Sequence, residues 1–153
     1  MKLSESLKIN AENIRIREFT MAGQKLRVRV PLASEMDAVN EKVKNTEWKE
    51  QYDKIVAPLL EKKEMFSDDE IKFLDDDVIV NERSMKEMAK MSAQTNARIL
   101  EMFKLLVPAA EGDDFSQLTY EEIESEFPFS VQLEVSRKIA EVISPSYEEA
   151  RKN

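Results

Sequence analysis

Between Lys25 and Val30 the side chains alternate without a break. Leu26, Val28 and Val30 fall on one side of an extended chain, and Lys25, Arg27 and Arg29 on the other. A period of two fits a half-buried strand and not a helix. Pro31 closes the run because it has no N–H to offer a neighbouring strand. Upstream, Gly23 is the residue able to take a positive φ without strain, so the alternation predicts a β-hairpin over residues 14–31. Ile14 and Ile16 start its first strand. Phe19 and Met21 have the opposite parity, which predicts a bulge or a slipped register near Arg17 and Glu18. Arg15, Arg17, Arg27 and Arg29 are expected on one solvated face, where they also discourage edge-to-edge pairing. A two-stranded ribbon is unstable alone, so its apolar face needs helices or another subunit to pack on.

The remainder reads as helix. Two glycines in 153 residues, with many Glu, Lys, Met and Leu, favour it. Ser34 is placed to cap a helix with Glu35 and Asp37 in its first turn, where the helix dipole favours negative charge. A second helix is expected from about Glu47, capped by Thr46, with Trp48, Tyr52, Ile55 and Val56 on one face and Pro58 near its end. Ser67 and Glu70 form a capping box ahead of Ile71, Phe73 and Leu74, predicting a helix start. Asp75, Asp76 and Asp77 interrupt, and Val78–Val80 looks like a short extended piece. Ser84 and Glu87 open the longest helix, about Met85 to Val107, which Pro108 and Gly112 end. Thr119 and Glu122, with Leu118 and Ile123 as a hydrophobic staple, open a short helix. Phe129, Leu133, Ser136, Ile139, Ala140 and Ile143 mark the last long one, and Ser144–Pro145 starts a terminal turn through Tyr147. The expected fold is α+β but mainly α: an N-terminal hairpin followed by a bundle of about five to six helices. Residues 1–13 form a flexible arm and 14–150 a single domain, with hairpin 14–31 and helical body 34–150.

Composition removes several kinds of chemistry. The chain has no His and no Cys, so the commonest general base, the commonest transition-metal ligand and the thiol nucleophile are missing. Gly23 and Gly112 alone cannot build a phosphate-cradling loop. The carboxylates Asp68, Asp69, Asp75, Asp76 and Asp77 lack the spacing and the glycine of a calcium loop, and are read as a helix start and an acidic turn. No catalytic residue, cofactor or metal is assigned. No apolar run approaches the ~18–20 residues that span a bilayer, and the start of the chain lacks a signal-peptide core, so a cytoplasmic protein is expected. The net charge of −8 is uneven. Residues 1–33 carry seven basic and three acidic side chains, a net +4, and the other 120 carry sixteen and twenty-eight, a net −12. An acidic body disfavours nucleic acid as a partner. The basic hairpin is expected to pair with the acidic remainder of the chain or of a neighbouring copy.

What remains is binding. Eight Met is a high count, and Met85, Met88, Met91 and Met102 share the longest helix. Methionine is flexible and polarizable and suits surfaces that accept varied partners, although it also fills irregular cores. Met85, Met88, Ser92, Thr95, Ile99 and Met102 are spaced alternately three and four apart. This moderately polar stripe is the candidate protein-binding face.

The run Phe19–Pro31 with Ser34-Glu35-Met36 resembles the start of the tail assembly chaperones of long-tailed bacteriophages and prophages. Asp77-Val78-Ile79-Val80 with Arg83-Ser84-Met85, Phe103–Pro108, Leu118-Thr119-Tyr120 and Glu124–Phe129 look like later parts of the same group, over about residues 14 to 150. The resemblance implies a mostly helical, non-enzymatic protein of the bacterial host's cytoplasm, absent from the mature virion. It implies binding to the tape measure protein, a long apolar helical chain, and recruitment of tail tube protein around it. It also implies self-association in some members and a second form made by frameshifting in many. The alternative is a structural tail or head–tail connector protein retained in the virion, whose hairpin would add to a ring of neighbours by strand pairing.

Overall fold

The computed structural model describes residues 1–67 and 69–144. A short N-terminal helix, α1 (Leu3–Ser6), precedes β1 (Ile16–Met21) and β2 (Gln24–Arg29), then α2 (Ala33–Lys44) and α3 (Lys49–Glu61). Next come β3 (Ile71–Phe73), β4 (Val78–Val80), β5 (Arg83–Ser84) and the long α4 (Met85–Phe103). The last elements among the described residues are β6 (Leu106–Val107), α5 (Tyr120–Glu126) and α6 (Phe129–Ile143). It is a mixed α/β fold with two three-stranded antiparallel sheets, ordered β1-β2-β6 and β3-β4-β5. The second sheet is what a hairpin on a helical bundle lacks. The described residues fall into two compact units: 1–39 with 99–144, and those between 40 and 98.

In the first unit the hairpin is regular. Ile16 pairs with Arg29 and Met21 with Gln24 in one continuous register, so the expected bulge or slip is absent. Ile14 lies instead in a 3-10 turn at Asn13–Arg15, whose start is fixed by the Asn10 side chain accepting the Glu12 and Asn13 amides. With Ile14 outside the strand, Ile16 alone keeps the opposite parity, on the face of its partner Arg29. Antiparallel partners share a face, so Phe19 and Met21 lie with Leu26 and Val28 toward the core, and Arg17 shares that side of the sheet while staying exposed. Arg17 therefore leaves the arginine face. Its Nη1 donates to the Val142 carbonyl at 2.7 Å, a cation on the last carbonyls of α6. Ala22 and Gly23 both have positive φ, 51° and 76°, as a two-residue type I′ turn requires.

Ser34 is not the cap of α2, which begins one residue earlier. Glu35 accepts the Leu32 amide at 2.8 Å and is salt-bridged to Arg15, which also donates from Nε to the Val30 carbonyl at 2.9 Å. These bonds, the Leu32 amide first, hold the Glu35 carboxyl below its ordinary value against the smaller opposing effect of burial. Of the acidic remainder, the basic hairpin meets Glu35, through Arg15 and, at 3.9 Å, Arg29; Arg29 also binds Glu12, from the first 33 residues, at 3.0 Å. The core of this unit gathers Val28, Ile99, Met102, Phe103, Ile123, Val135 and Ile139.

In the second unit, α3 starts after Trp48, and Thr46 turns back to donate to the Lys42 carbonyl rather than capping it. Trp48 and Tyr52 meet edge to face at 6.0 Å, and the ammonium groups of Lys86 and Lys90 sit 5.5 and 5.3 Å from the Trp48 ring. The capping box at Ser67 and Glu70 does not start a helix. It makes one turn, with Ser67 accepting the Glu70 and Ile71 amides, and then Ile71–Phe73 pairs with Val78–Val80. Hairpin pairing with the β-branched run Val78-Ile79-Val80 outweighs the local cap. The box at Ser84 does open α4, the Ser84 hydroxyl accepting the Glu87 amide at 3.1 Å. That helix ends at Phe103, short of Val107, because Leu106 and Val107 pair with Val28 and Arg27 and the residue before Pro108 prefers an extended backbone. Val56, Ile71, Val78 and Met85 form the core here. Pro145–Tyr147, and with them the expected terminal turn, lie outside the described residues, as does Asp68 of the acidic run.

Candidate functional site

The predicted binding stripe does not form one surface. Met85 is only 6% exposed and sits in the core of the second unit, and Ile99 and Met102, at 2% and 4%, sit in the core of the first. Thr95 is half-buried, Ser92 is exposed, and Met88 is 43% exposed with Met91 beside it more exposed still. The residues α4 buries alongside Met85 are Ala89 and Ala93. The inward face of that stretch is rotated from the methionine stripe, because small side chains are used where the helix packs closely.

An open apolar concave surface lies in the first unit. It starts at the hairpin turn, which delivers Met21 to the inner face opposite Gln24. β6 adds Leu106 and Val107 by pairing with β2. α6 presents Val131 and Val135, and the turn between α5 and α6 presents Phe127, 37% exposed. Phe127 is fixed by an edge-to-face contact with Phe103 at 5.7 Å. Phe115, from the loop before α5, completes the wall. These groups enclose an open cleft of about 470 Å³ with Lys25 and Arg27 among its lining residues.

A second cleft of about 540 Å³ shares Phe103, Leu106, Phe115 and Phe127 with the first. Its apolar floor continues through Leu118 and Ile123, and its lining includes Asp113, Asp114, Glu122 and Glu126. Several of its parts are held locally. Thr119 caps α5 by accepting the Glu122 amide at 3.3 Å and donating to the Glu122 carboxylate at 3.2 Å. Leu118 packs on the cluster that contains Ile123, as the staple requires. The Ser116 hydroxyl and amide donate to Asp114 at 2.7 and 2.9 Å and hold its carboxyl below the usual range, the hydroxyl contributing most. Behind the floor, Gln132 accepts the Tyr120 phenol at 2.8 Å and donates to the Phe127 carbonyl at 2.7 Å, which fixes the α5–α6 turn.

Reading the sequence for helical stripes misses this site, because its parts come from the hairpin turn, the end of α4, a loop and the α5–α6 junction. One local signal exists: Phe115 stands alone in Asp-Asp-Phe-Ser-Gln, a large apolar ring in a stretch that otherwise prefers water.

Among the described residues no group of three or more acidic side chains is arranged to hold a metal ion, and no helix is long and apolar enough to cross a membrane. No family model, curated protein or solved structure matches this chain.

Proposed function

We propose that this chain is a non-enzymatic tail assembly chaperone. It binds the tape measure protein, keeps that apolar chain soluble in the host cytoplasm, and helps recruit tail tube protein, without remaining in the mature virion. The observation that carries the reading is the open apolar cleft framed by Met21, Leu106, Phe115, Phe127 and Val131, a surface of the kind that takes the apolar face of an amphipathic helix. The sequence resemblance supports it from an independent side. An acidic body helps to keep a complex with an apolar client soluble.

Co-expression with a tape measure fragment tests it. Wild-type chain should keep the fragment in the soluble fraction and co-purify with it. Phe115→Asp and Phe127→Asp should lose both effects while retaining native circular dichroism. Capture undiminished in both folded variants would overturn the assignment of the cleft.

One observation favours the second reading, a connector retained in the virion. β1 is an edge strand, with no strand beyond it among the described residues, and could extend a ring by strand pairing. Mass spectrometry of purified particles separates the two: a stoichiometric amount of this chain would identify a structural component, and its absence a chaperone.

A further inference from the structure

The two clefts meet on a common wall, Phe103, Leu106, Phe115 and Phe127, yet their rims carry opposite charge. Lys25 and Arg27, both exposed on β2, line the first cleft, with Glu18 across the strand from Arg27. Asp113, Asp114, Glu122 and Glu126, all exposed, line the other. Asp114 is held ionised by Ser116, and Glu122 is fixed by Thr119.

We infer that the clefts act as one groove for a dipolar apolar segment, acidic at the end that lies on Lys25 and Arg27 and basic at the end that lies on Asp113, Asp114, Glu122 and Glu126. The inference rests on reading the groove as the client site and specifies the client's chemistry. Apolar anchors one or two helical turns apart fill the clefts on either side of Phe115 and Phe127. The flanking charges set register and exclude segments of uniform sign, which meet repulsion at one end. A helix with acidic residues in its first turn and basic residues in its last is already favoured by its own dipole, so such a segment reaches the groove pre-formed.

Three fluorescent peptides with the same apolar helical core test this: one acidic at one end and basic at the other, one acidic at both, one basic at both. In anisotropy titrations at low salt the dipolar peptide should bind wild-type chain about tenfold tighter than either uniform one, as a few exposed ion pairs allow, and the gap should close at high salt. Lys25→Glu/Arg27→Glu should shift the preference to the basic peptide, and Asp113→Lys/Asp114→Lys to the acidic one. All four positions are exposed; Asp114 gives up the hydrogen bonds from Ser116, so circular dichroism checks that each variant folds and Asp113→Lys alone serves beside the double variant.

Equal binding of all three peptides, or a preference that no rim variant moves, would overturn the inference. So would charge-independent binding of a simple fatty acid in the same groove. If the peptides sort as expected but the tape measure protein is not captured, the groove stands and the proposed function falls. If the client is captured while no peptide binds the groove, the reverse holds.

Discussion

Ser84 donates its hydroxyl hydrogen to the carboxylate of Asp77, seven residues back, while its oxygen accepts the amide of Glu87. Asp77 also accepts the amides of Val78 at 2.7 Å and Lys86 at 2.9 Å. One nearly buried carboxylate therefore ties the β3–β4 connection to the start of α4, satisfying amides that the first turn of a helix leaves open.

Removing that carboxylate should destabilise the second unit. Asp77→Ala is expected to cost about 2 kcal/mol at neutral pH, because it strips a helix cap and leaves buried donors unpaired. Burial opposes ionisation of Asp77, but the hydrogen bonds from Ser84, Lys86 and Val78 and the Lys86 charge outweigh it and lower its pKa in the folded chain. A lowered folded value means the contribution is fully present above the unfolded value of about 3.9 and is lost as pH falls through the folded one. Urea titrations at pH 7 and pH 3 check this: the gap between wild type and Asp77→Ala should shrink at the lower pH.

Both two-residue hairpin turns, β1–β2 and β4–β5, hold non-glycine residues in the left-handed region. Asn81 and Glu82 have φ of 49° and 69° between the paired residues Val80 and Arg83, and Ala22 has φ of 51°. A non-glycine residue in that region costs about 1 kcal/mol. Glu82→Gly, which creates the Asn-Gly pair that type I′ turns prefer, should stabilise by about 0.5–1 kcal/mol in thermal or urea unfolding. Gly23→Ala should destabilise by a similar amount, although nothing stands within 4 Å of the added carbon. Its φ of 76° alone makes the change unfavourable.

The contrast between these elements shows what local sequence can reveal. Lys25–Val30 is legible because its two faces differ sharply in polarity. The capping boxes at Ser84 and Thr119 are legible because a cap acts within one turn. Ser67 and Glu70 look the same on paper, but the chain beyond them pairs with Val78–Val80, and nothing near Ser67 encodes that. The phase of α4 is hidden for a different reason. Ala89 and Ala93 carry little hydropathy, so the eye follows the methionines, whereas close packing selects the small side chains. Both unit boundaries fall inside α2 and α4, where no linker composition marks them. The groove is the least legible feature, since no stretch supplies more than a few of its residues.

The burial pattern of α4 makes its own forecast. Ala89 is fully buried, and Ala89→Leu should cost about 1–3 kcal/mol by overpacking. Met88→Lys and Met91→Lys, on the exposed side, should change stability by less than about 0.5 kcal/mol. Ile99→Asp should unfold its unit outright, since it buries an unpaired charge. Circular dichroism melts of the four variants suffice. If Met88→Lys proved as damaging as Ala89→Leu, the helix would be facing its core with the methionine stripe after all.

The Tyr120–Gln132 bond links α5 to α6. Burial, then the Glu124 charge, raises the phenol pKa, and the bond to Gln132 only partly offsets them. A raised folded value places this contribution below the unfolded pKa of about 10, with its loss as pH rises through the folded one. Tyr120→Phe should cost about 1 kcal/mol at pH 7 and should flatten the alkaline decline in stability. A stability profile from pH 7 to 11 for both proteins checks the two parts together.

Ser136 makes the last case. On α6 the buried positions are Gln132, Val135 and Ile139, while Phe129 and Leu133 face outward at 51% and 43% exposure. Ser136 falls between the two faces, and its hydroxyl oxygen is buried with no hydrogen-bond partner among the described residues. A buried hydroxyl without a partner pays its desolvation in full, and serine is a poorer helix former than alanine. Both effects have the same sign, so Ser136→Ala should stabilise the first unit by about 1 kcal/mol. Ser136→Val separates them: it also removes the hydroxyl but adds bulk and a β-branched side chain in a helix, so it should gain less. A rise in the urea midpoint for Ser136→Ala is the expected result. A fall of comparable size would mean that the hydroxyl has a partner in solution, such as a bound water.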